Sequence, residues 1–144
     1  MGHAILPIVV HTFLIKDNKV FLIRRANTSF MDGTWFGAAG RLDENEKIVD
    51  GAIRETKEEI GIDLRKENLS KPLVMHFKDH TGKIRISFFF YVKNFDGEPK
   101  NNEPDKASEA QWFSIDNLSE DTAPHVKLAL EKILKGETFI EYGF

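Results

Sequence analysis

The chain has 144 residues, enough for one domain with a real core, and its 41% hydrophobic and 30% charged content excludes disordered and fibrous classes. Twenty basic and 23 acidic side chains leave a net charge of −3, spread along the sequence, so there is no electrostatic footprint for duplex nucleic acid or for an anionic membrane. Cysteine is absent, which rules out disulfides and thiolate metal sites and restricts any metal to oxygen or nitrogen ligands.

The N-terminus, MGHAILPIVV, lacks the features of a secretory signal, and the longest apolar run, Phe88 to Val92, is too short to span a bilayer. These features lead to the expectation of a cytoplasmic protein, monomer or homodimer, formed by a single domain over residues 1–144. Residues 4–15, rich in Ile, Val and Leu, read as a strand, followed by the turn Lys16–Lys19 and a second strand over 20–25. A polar loop from Ala26 to Thr34 leads to a short strand from Trp35 to Ala39. Glu46 to Ile60 reads as a helix closed by Gly61.

A second hairpin follows, with strands at 72–78 and 83–93 around the turn Asp79–Gly82. Alternation in the latter strand puts Ile84, Ile86, Phe88, Phe90 and Val92 on one face, expected to be core. Arg85, Ser87, Phe89, Tyr91 and Lys93 share the other, which either lines a cleft or packs under a helix. A polar loop runs from Asn94 to Ala107, a strand covers 109–113, a helix covers 124–135, and the terminal EYGF is expected to pack loosely. Hairpins mixed with helices predict an α/β fold: a mixed sheet between helices, in one domain.

The helix over 46–60 holds the most unusual chemistry. Arg54-Glu55-Thr56-Lys57-Glu58-Glu59 places three carboxylates on little more than one turn. Ile48, Val49, Ala52, Ile53, Thr56 and Ile60 form its apolar face, and Glu55 and Glu59, four residues apart, sit on the edge of that face. Carboxylates at the border of a core repel one another and lose hydration, and a divalent cation relieves both. With oxygen ligands alone the expected ion is Mg²⁺ or Mn²⁺, and Mg²⁺ is usually completed by substrate phosphates.

Gly40, Glu46, Arg54, Glu55, Glu58, Glu59, Gly61 and Ile62 stand in the register GX5EX7REUXEEXGU, so the segment 40–62 resembles the signature box of the Nudix hydrolases. Three departures are visible: Thr56 replaces a bulky aliphatic residue, Ala38-Ala39-Gly40 stands where many relatives have Pro-Gly-Gly, and Asn45 takes a position often held by glycine. The resemblance implies an α/β/α sandwich and a divalent-metal-dependent hydrolase. Such an enzyme cleaves the pyrophosphate linkage of nucleoside diphosphate derivatives. A nucleoside triphosphate pyrophosphatase is the first expectation, and an ADP-ribose or dinucleoside polyphosphate pyrophosphatase the alternative. A non-catalytic nucleotide sensor is disfavoured because no box carboxylate is missing.

By the same resemblance Glu55, Glu58, Glu59 and the carbonyl of Ala39 are metal ligands, Arg54 orients a glutamate of the cluster, and Glu46 supports the loop–helix geometry. The general base is Glu58 or Glu59, or one of Asp96, Glu98, Glu103, Asp105 and Glu109 in the later loop. Arg25, Arg41 and Arg85, with Arg24 behind them, are candidates to meet phosphate. Phe89, Phe36 and Trp112 are candidates to stack on a base. His125, at the start of the last helix, is placed either to reach a substrate or, as the preferred reading, to cap the helix or stand exposed.

Overall fold

Strand β1 (Ile8–Lys16) buries both faces, and this sets the architecture. Val10 and Leu14 point to one side, and Phe13 and Ile15 to the other, as the two-residue period of a strand requires. A strand buried on both faces needs a layer on each side. The computed structural model, which describes residues 2–144, supplies them as helix α1 (Ile48–Ile60) and helix α2 (Pro124–Leu134).

The remaining strands are β2 (Lys19–Arg25), β3 (Trp35–Phe36), β4 (Ala38–Arg41), β5 (Leu73–Lys78), β6 (Ile84–Val92), β7 (Ala107–Ser114) and β8 (Phe139–Tyr142). They form a mixed sheet in the order β3-β2-β1-β6-β5-β8, with β4 also paired to β1 and β7 to β2. β1 runs parallel to β6, in register from Ile8 opposite Ile86 to Leu14 opposite Val92, and β5 runs parallel to β8. Ala52 of α1 packs with Val10 and Phe90 on one face. Ala129, Leu130 and Ile133 of α2 pack with Phe13, Leu73 and Phe89 on the other. The expected α/β/α sandwich is the observed fold. No helix of the described residues is long and apolar enough to cross a membrane.

The β1–β2 turn is as tight as expected. Asp17 and Asn18 both take positive φ, 53° and 59°, as a two-residue hairpin turn matching strand twist demands. Three expectations need correction. The strand expected over 35–39 is divided at Gly37, where the chain leaves β2 and joins β1; a Cβ there would lie 2.5 Å from the Thr12 carbonyl oxygen, so backbone closeness selects glycine. The terminal tail is not loose, since Phe139–Tyr142 forms β8 against the free edge of β5. In β6 the face expected to be core is only partly so, while the other packs under a helix over part of its length, one of the two alternatives for it. Phe90 and Val92 lie under α1 while Ser87 and Phe89 are fully enclosed on the α2 side, and Ile84 and Ile86 of the face expected to be core are only half-buried.

The entry to α1 is held by charge rather than by a cap. Its N-cap position, Lys47, makes no side-chain cap bond. Glu46 serves instead: its carboxylate accepts from the Asp43 backbone N–H at 3.0 Å, from Arg54 Nε at 2.7 Å and from Arg54 Nη2 at 2.9 Å. Arg54 Nη2 also reaches the Arg41 carbonyl at 3.2 Å, so one guanidinium ties the loop 41–47 onto the helix. Gly51 permits this closure, because a Cβ there would press on Leu42 Cδ1 at 2.6 Å. Thr56, the polar residue in the apolar stripe, is fully buried and donates to the Ala52 carbonyl at 2.7 Å, so its hydroxyl costs the core little.

Arg54 holds the Glu46 carboxyl at a pKa of about 2, below its ordinary 4.5. A depressed carboxyl contributes its stability above the unfolded pKa and loses it as pH falls from about 4.5 towards 2. Glu46→Gln is therefore expected to lower the unfolding free energy at pH 7 by about 1–3 kcal/mol. The gap between the two proteins in urea midpoints should narrow steadily below pH 4.5; a gap constant from pH 7 to pH 2 contradicts the role given to the carboxylate.

Candidate functional site

The glutamates of α1 project over the end of β4, where the strand leaves the sheet. Gly40 is what lets them approach: Glu55 lies across its Cα, and a Cβ there would overlap the carboxylate. The neighbouring Ala39 pairs with His11 but turns its N–H away from β1, donating to Glu59 Oε1 at 3.0 Å. N–H and C=O of one strand residue point to the same edge, so the Ala39 carbonyl also faces the glutamates.

Glu55 accepts from Arg54 Nη1 at 2.8 Å, and Glu58 approaches the same nitrogen at 3.3 Å. Glu58 is half-exposed, while the Glu55 side chain is only 12% accessible. Burial pushes the Glu59 carboxyl well above its ordinary value, and the adjacent charges of Glu55 and Glu103 push the same way against the opposing Ala39 N–H. Glu55 is also raised, chiefly by burial, despite its bond to Arg54. Two neighbouring carboxylates with raised proton affinity mark excess negative potential in a poorly hydrated place.

That potential suits a divalent cation. Among the described residues no three acidic or imidazole side chains stand in ligating geometry, because Arg54 holds Glu55 and Glu58 while the Ala39 N–H holds Glu59. The donors are nevertheless of the right kind: carboxylate and carbonyl oxygens, the set for Mg²⁺ or Mn²⁺.

Two connected cavities open from this point. The first, about 400 Å³, is lined by Glu55, Glu58, Glu59 and Glu103 together with Arg25, Arg41 and Lys106. The second, about 480 Å³, shares Arg25, Thr28 and the segment 39–41 with the first and extends to Phe30, Phe36, Lys83 and Arg85, with His11 and His125 among its walls. Arg25, Arg41 and Arg85 are thus brought to the cleft as expected. Arg24 is not: it faces Glu109 and Asp121 at 3.0 Å and 2.8 Å on the outer side of β2.

Among the aromatics, Phe36 reaches the cleft, but Phe89 does not. It is fully buried, stacked on His11 with ring centres 4.0 Å apart, so the expectation that Phe89 meets substrate is wrong. The alternation of β6 puts Phe89 on the same face as Arg85, yet that face passes under α2 before reaching Phe89. Trp112 is also remote, packed against Phe21 and bonded to Glu98 at 3.0 Å.

The long loop is anchored by α1. Its Lys100 and Asn102 backbone N–H groups donate to the Ile60 and Glu59 carbonyls, and the Asn102 side chain donates to the Glu58 carbonyl at 3.2 Å, satisfying free carbonyls at the helix end. This brings Glu103 into the first cavity and leaves Asp96, Glu98, Asp105 and Glu109 outside both.

Several cleft residues were not visible as such in the sequence. His125 is 2% exposed rather than exposed or capping, and burial with nearby Arg85 and Arg25 pulls its pKa down to about 3. His11, equally buried, is lowered well below its ordinary value for the same reasons, with His125 itself contributing. Both are neutral near pH 7. Asp79 accepts from Arg85 Nη2 at 2.7 Å and fixes that guanidinium at the cavity wall. The Arg85–Asp79 spacing of six across a predicted hairpin was the one sequence signal for this pair.

The family model described as NUDIX domain matches residues 6–133. An ADP-ribose pyrophosphatase of Methanocaldococcus jannaschii is 31% identical over 128 residues, covering 89% of this chain and 70% of that protein. An 8-oxo-dGTP diphosphatase of Escherichia coli is 27% identical over 119 residues, covering 83% and 88%. The crystal structure of a MutT NUDIX hydrolase from Burkholderia pseudomallei superposes with a TM-score of 0.76 at 24% identity, covering 90% of this chain and 99% of that one. A box of carboxylates in register, the sandwich that displays it and a domain match spanning nearly the whole chain agree: this protein belongs to the Nudix family of hydrolases.

Proposed function

We propose that this enzyme hydrolyses the pyrophosphate linkage of nucleoside diphosphate derivatives with Mg²⁺ or Mn²⁺, acting as a nucleoside triphosphate pyrophosphatase. The observation that carries the reading is the buried Glu55–Glu59 pair in an acidic cavity that shares Arg25, Thr28 and the segment 39–41 with a second, cationic and aromatic one. Divalent metals are general to enzymes of this family. The M. jannaschii relative, named as an ADP-ribose pyrophosphatase, supports that activity as the second reading.

In this scheme Glu55, Glu58, Glu59 and the Ala39 carbonyl hold the cation. When bound it neutralises the diphosphate and makes a coordinated water more acidic. Arg54 keeps Glu55 aligned, and Glu46 keeps Arg54 aligned. Arg25 and Arg41 stand at the junction, where a diphosphate reaching from one cavity to the other must pass, and a guanidinium suits phosphate oxygens.

We take Glu58 and Glu103 as the candidates for the general base. Glu59 is committed to the Ala39 N–H and lies deepest. Half-exposed Glu58 and the half-buried Glu103 stand on the walls of the first cavity, open to water.

Two measurements test the scheme. Mg²⁺ or Mn²⁺ at 100 times its dissociation constant is expected to stabilise the protein by about 2.7 kcal/mol, read as a rise in Tm. Glu59→Gln should abolish that rise and most of the activity while leaving the circular dichroism spectrum unchanged. An undiminished metal-induced rise in this variant argues against Glu59 as a ligand. For the base, kcat is compared in Glu58→Gln and Glu103→Gln across pH 5–9. The residue that acts as base should cost about 100-fold or more, with the acidic limb of the profile lost. If neither variant loses its acidic limb, the proton leaves by another route.

A further inference from the structure

The second cavity is shaped for an anion rather than for a bare aromatic ring. Its two phenylalanines already carry guanidinium groups on their faces. Arg85 lies over the Phe30 ring at 4.3 Å, and Arg25 over the Phe36 ring at 4.7 Å. Phe36 is further engaged by His11, stacked at 6.0 Å, and by His125, edge-on at 5.2 Å. A nucleobase seeking those rings would have to displace buried, aromatic-stacked cations.

What the cavity does present is N–H donors. A guanidinium has five. Among the described residues Arg25 uses one, Nε to the Phe30 carbonyl at 2.9 Å, and Arg85 uses one, Nη2 to Asp79 at 2.7 Å. Arg85 Nε is buried without a partner; Nδ1 of His11 and of His125, which in a neutral ring either donates or accepts, is unpartnered too, and all three belong to residues of this one cavity. Buried polar atoms left unpaired in this way are uncommon and call for a partner.

The charge count agrees. Arg25, Arg41, Lys83 and Arg85 line the cavity against the single carboxylate of Asp79, which is already bonded to Arg85, Thr81 and the Lys83 backbone N–H. Among the described residues no acidic side chain forms an ion pair with Arg25, Arg41 or Lys83. The diphosphate itself calls on the cation and on the residues at the junction. Arg85 and Lys83 lie beyond it, in the second cavity alone.

We propose that the second cavity binds a further phosphate monoester, carried by the group that flanks the scissile diphosphate, with Arg85 and Lys83 as its specificity-determining residues. The cavity volume of about 480 Å³ accommodates a pentose together with its phosphate. That phosphate can stand on the ribose of a nucleoside or on a bare sugar, and the recognising chemistry is the same. The inference rests on the diphosphate-hydrolase reading above.

Two matched substrate pairs test it, with Mg²⁺: ADP-ribose against ADP-ribose 2′-phosphate, and ribose 1-diphosphate against 5-phosphoribosyl 1-diphosphate. The phosphorylated member of at least one pair should be favoured by about 10-fold or more in kcat/KM, mainly through KM, and the favoured pair identifies the carrier. In Arg85→Gln and Lys83→Ala the ratio within that pair should fall towards one. Equal rates within both pairs overturn the proposal and leave the hydrolase reading standing. Metal-free calorimetry with AMP and adenosine 2′,5′-bisphosphate, and with ribose and ribose 5-phosphate, judges the cavity even if no substrate is cleaved. Tighter binding of either phosphorylated ligand, lost in the Arg85 and Lys83 variants, supports the proposal. Equal affinities in both comparisons overturn it.

Discussion

One guanidinium organises the acidic end of the site. Arg54 binds Glu46 on one side, Glu55 and Glu58 on the other, and the Arg41 carbonyl between them. Removing that group would release the loop 41–47 from α1 and leave like charges on one helical turn without their shared cation. Its reach is limited, though, because the Arg54 side chain ends on the solvent side of the cluster. Glu59, deepest of the four, has a backbone N–H for a partner and, among the described residues, no ion pair, with Arg25 acting on it only at longer range. One guanidinium shared by three carboxylates leaves the cluster net negative, and the most buried fourth carboxylate adds to that excess at a fixed place. The physics of the fold and that of cation binding meet at this residue.

The backbone requirements follow from the same constraint. Glu55 can lie across β4 because Gly40 has no Cβ, and the loop can close on α1 because Gly51 has none. Neither glycine is in a positive-φ conformation; each is selected by crowding rather than by backbone freedom. Gly61 is different, with φ of 73°, and ends α1 in the left-handed turn that a side chain would strain. The departures from the usual box are mild for related reasons. Ala38 and Ala39 still fit the buried strand, and the Thr56 hydroxyl finds a carbonyl one turn back.

The acidic half of the site was legible in the sequence because it is local. Gly40 to Gly61 is one strand end, one loop and one helix, so spacing alone places Glu55 and Glu59 together. The cationic half is assembled from β1, β2, the β2–β3 loop, β3, β4, the β5–β6 turn, β6 and α2, and no local spacing connects them all. His11 and His125 are 114 positions apart in the chain yet have ring centres 6.1 Å apart in the fold. The misjudgement of Phe89 has the same origin. Alternation shows which face a strand residue is on, and not where along that face a helix begins to cover it; Arg85 lies before that point and Phe89 after it. Glu103 could not be distinguished from its acidic neighbours because what selects it is a set of backbone bonds to the end of α1. Likewise, β8 is only four residues long, Phe139–Tyr142, and it is ordered by the edge that β5 offers.

The division of charge between the two cavities constrains how a substrate can lie. The acidic cavity attracts cations and repels phosphate until a metal is present, whereas the cationic cavity attracts phosphate without help. Arg25 belongs to both, and its guanidinium is half-buried over Phe36, where burial lowers its pKa and the Glu59 charge restores part of the loss. A diphosphate in the acidic cavity therefore depends on the metal, while a group in the cationic cavity is held by protein alone. Binding on the protein-only side can precede metal-dependent placement of the diphosphate, so affinity and cleavage draw on different residues. On the proposed reading, an interaction that anchors the far group acts on substrate and transition state alike and would govern KM, while the Glu55–Glu59 end would govern kcat.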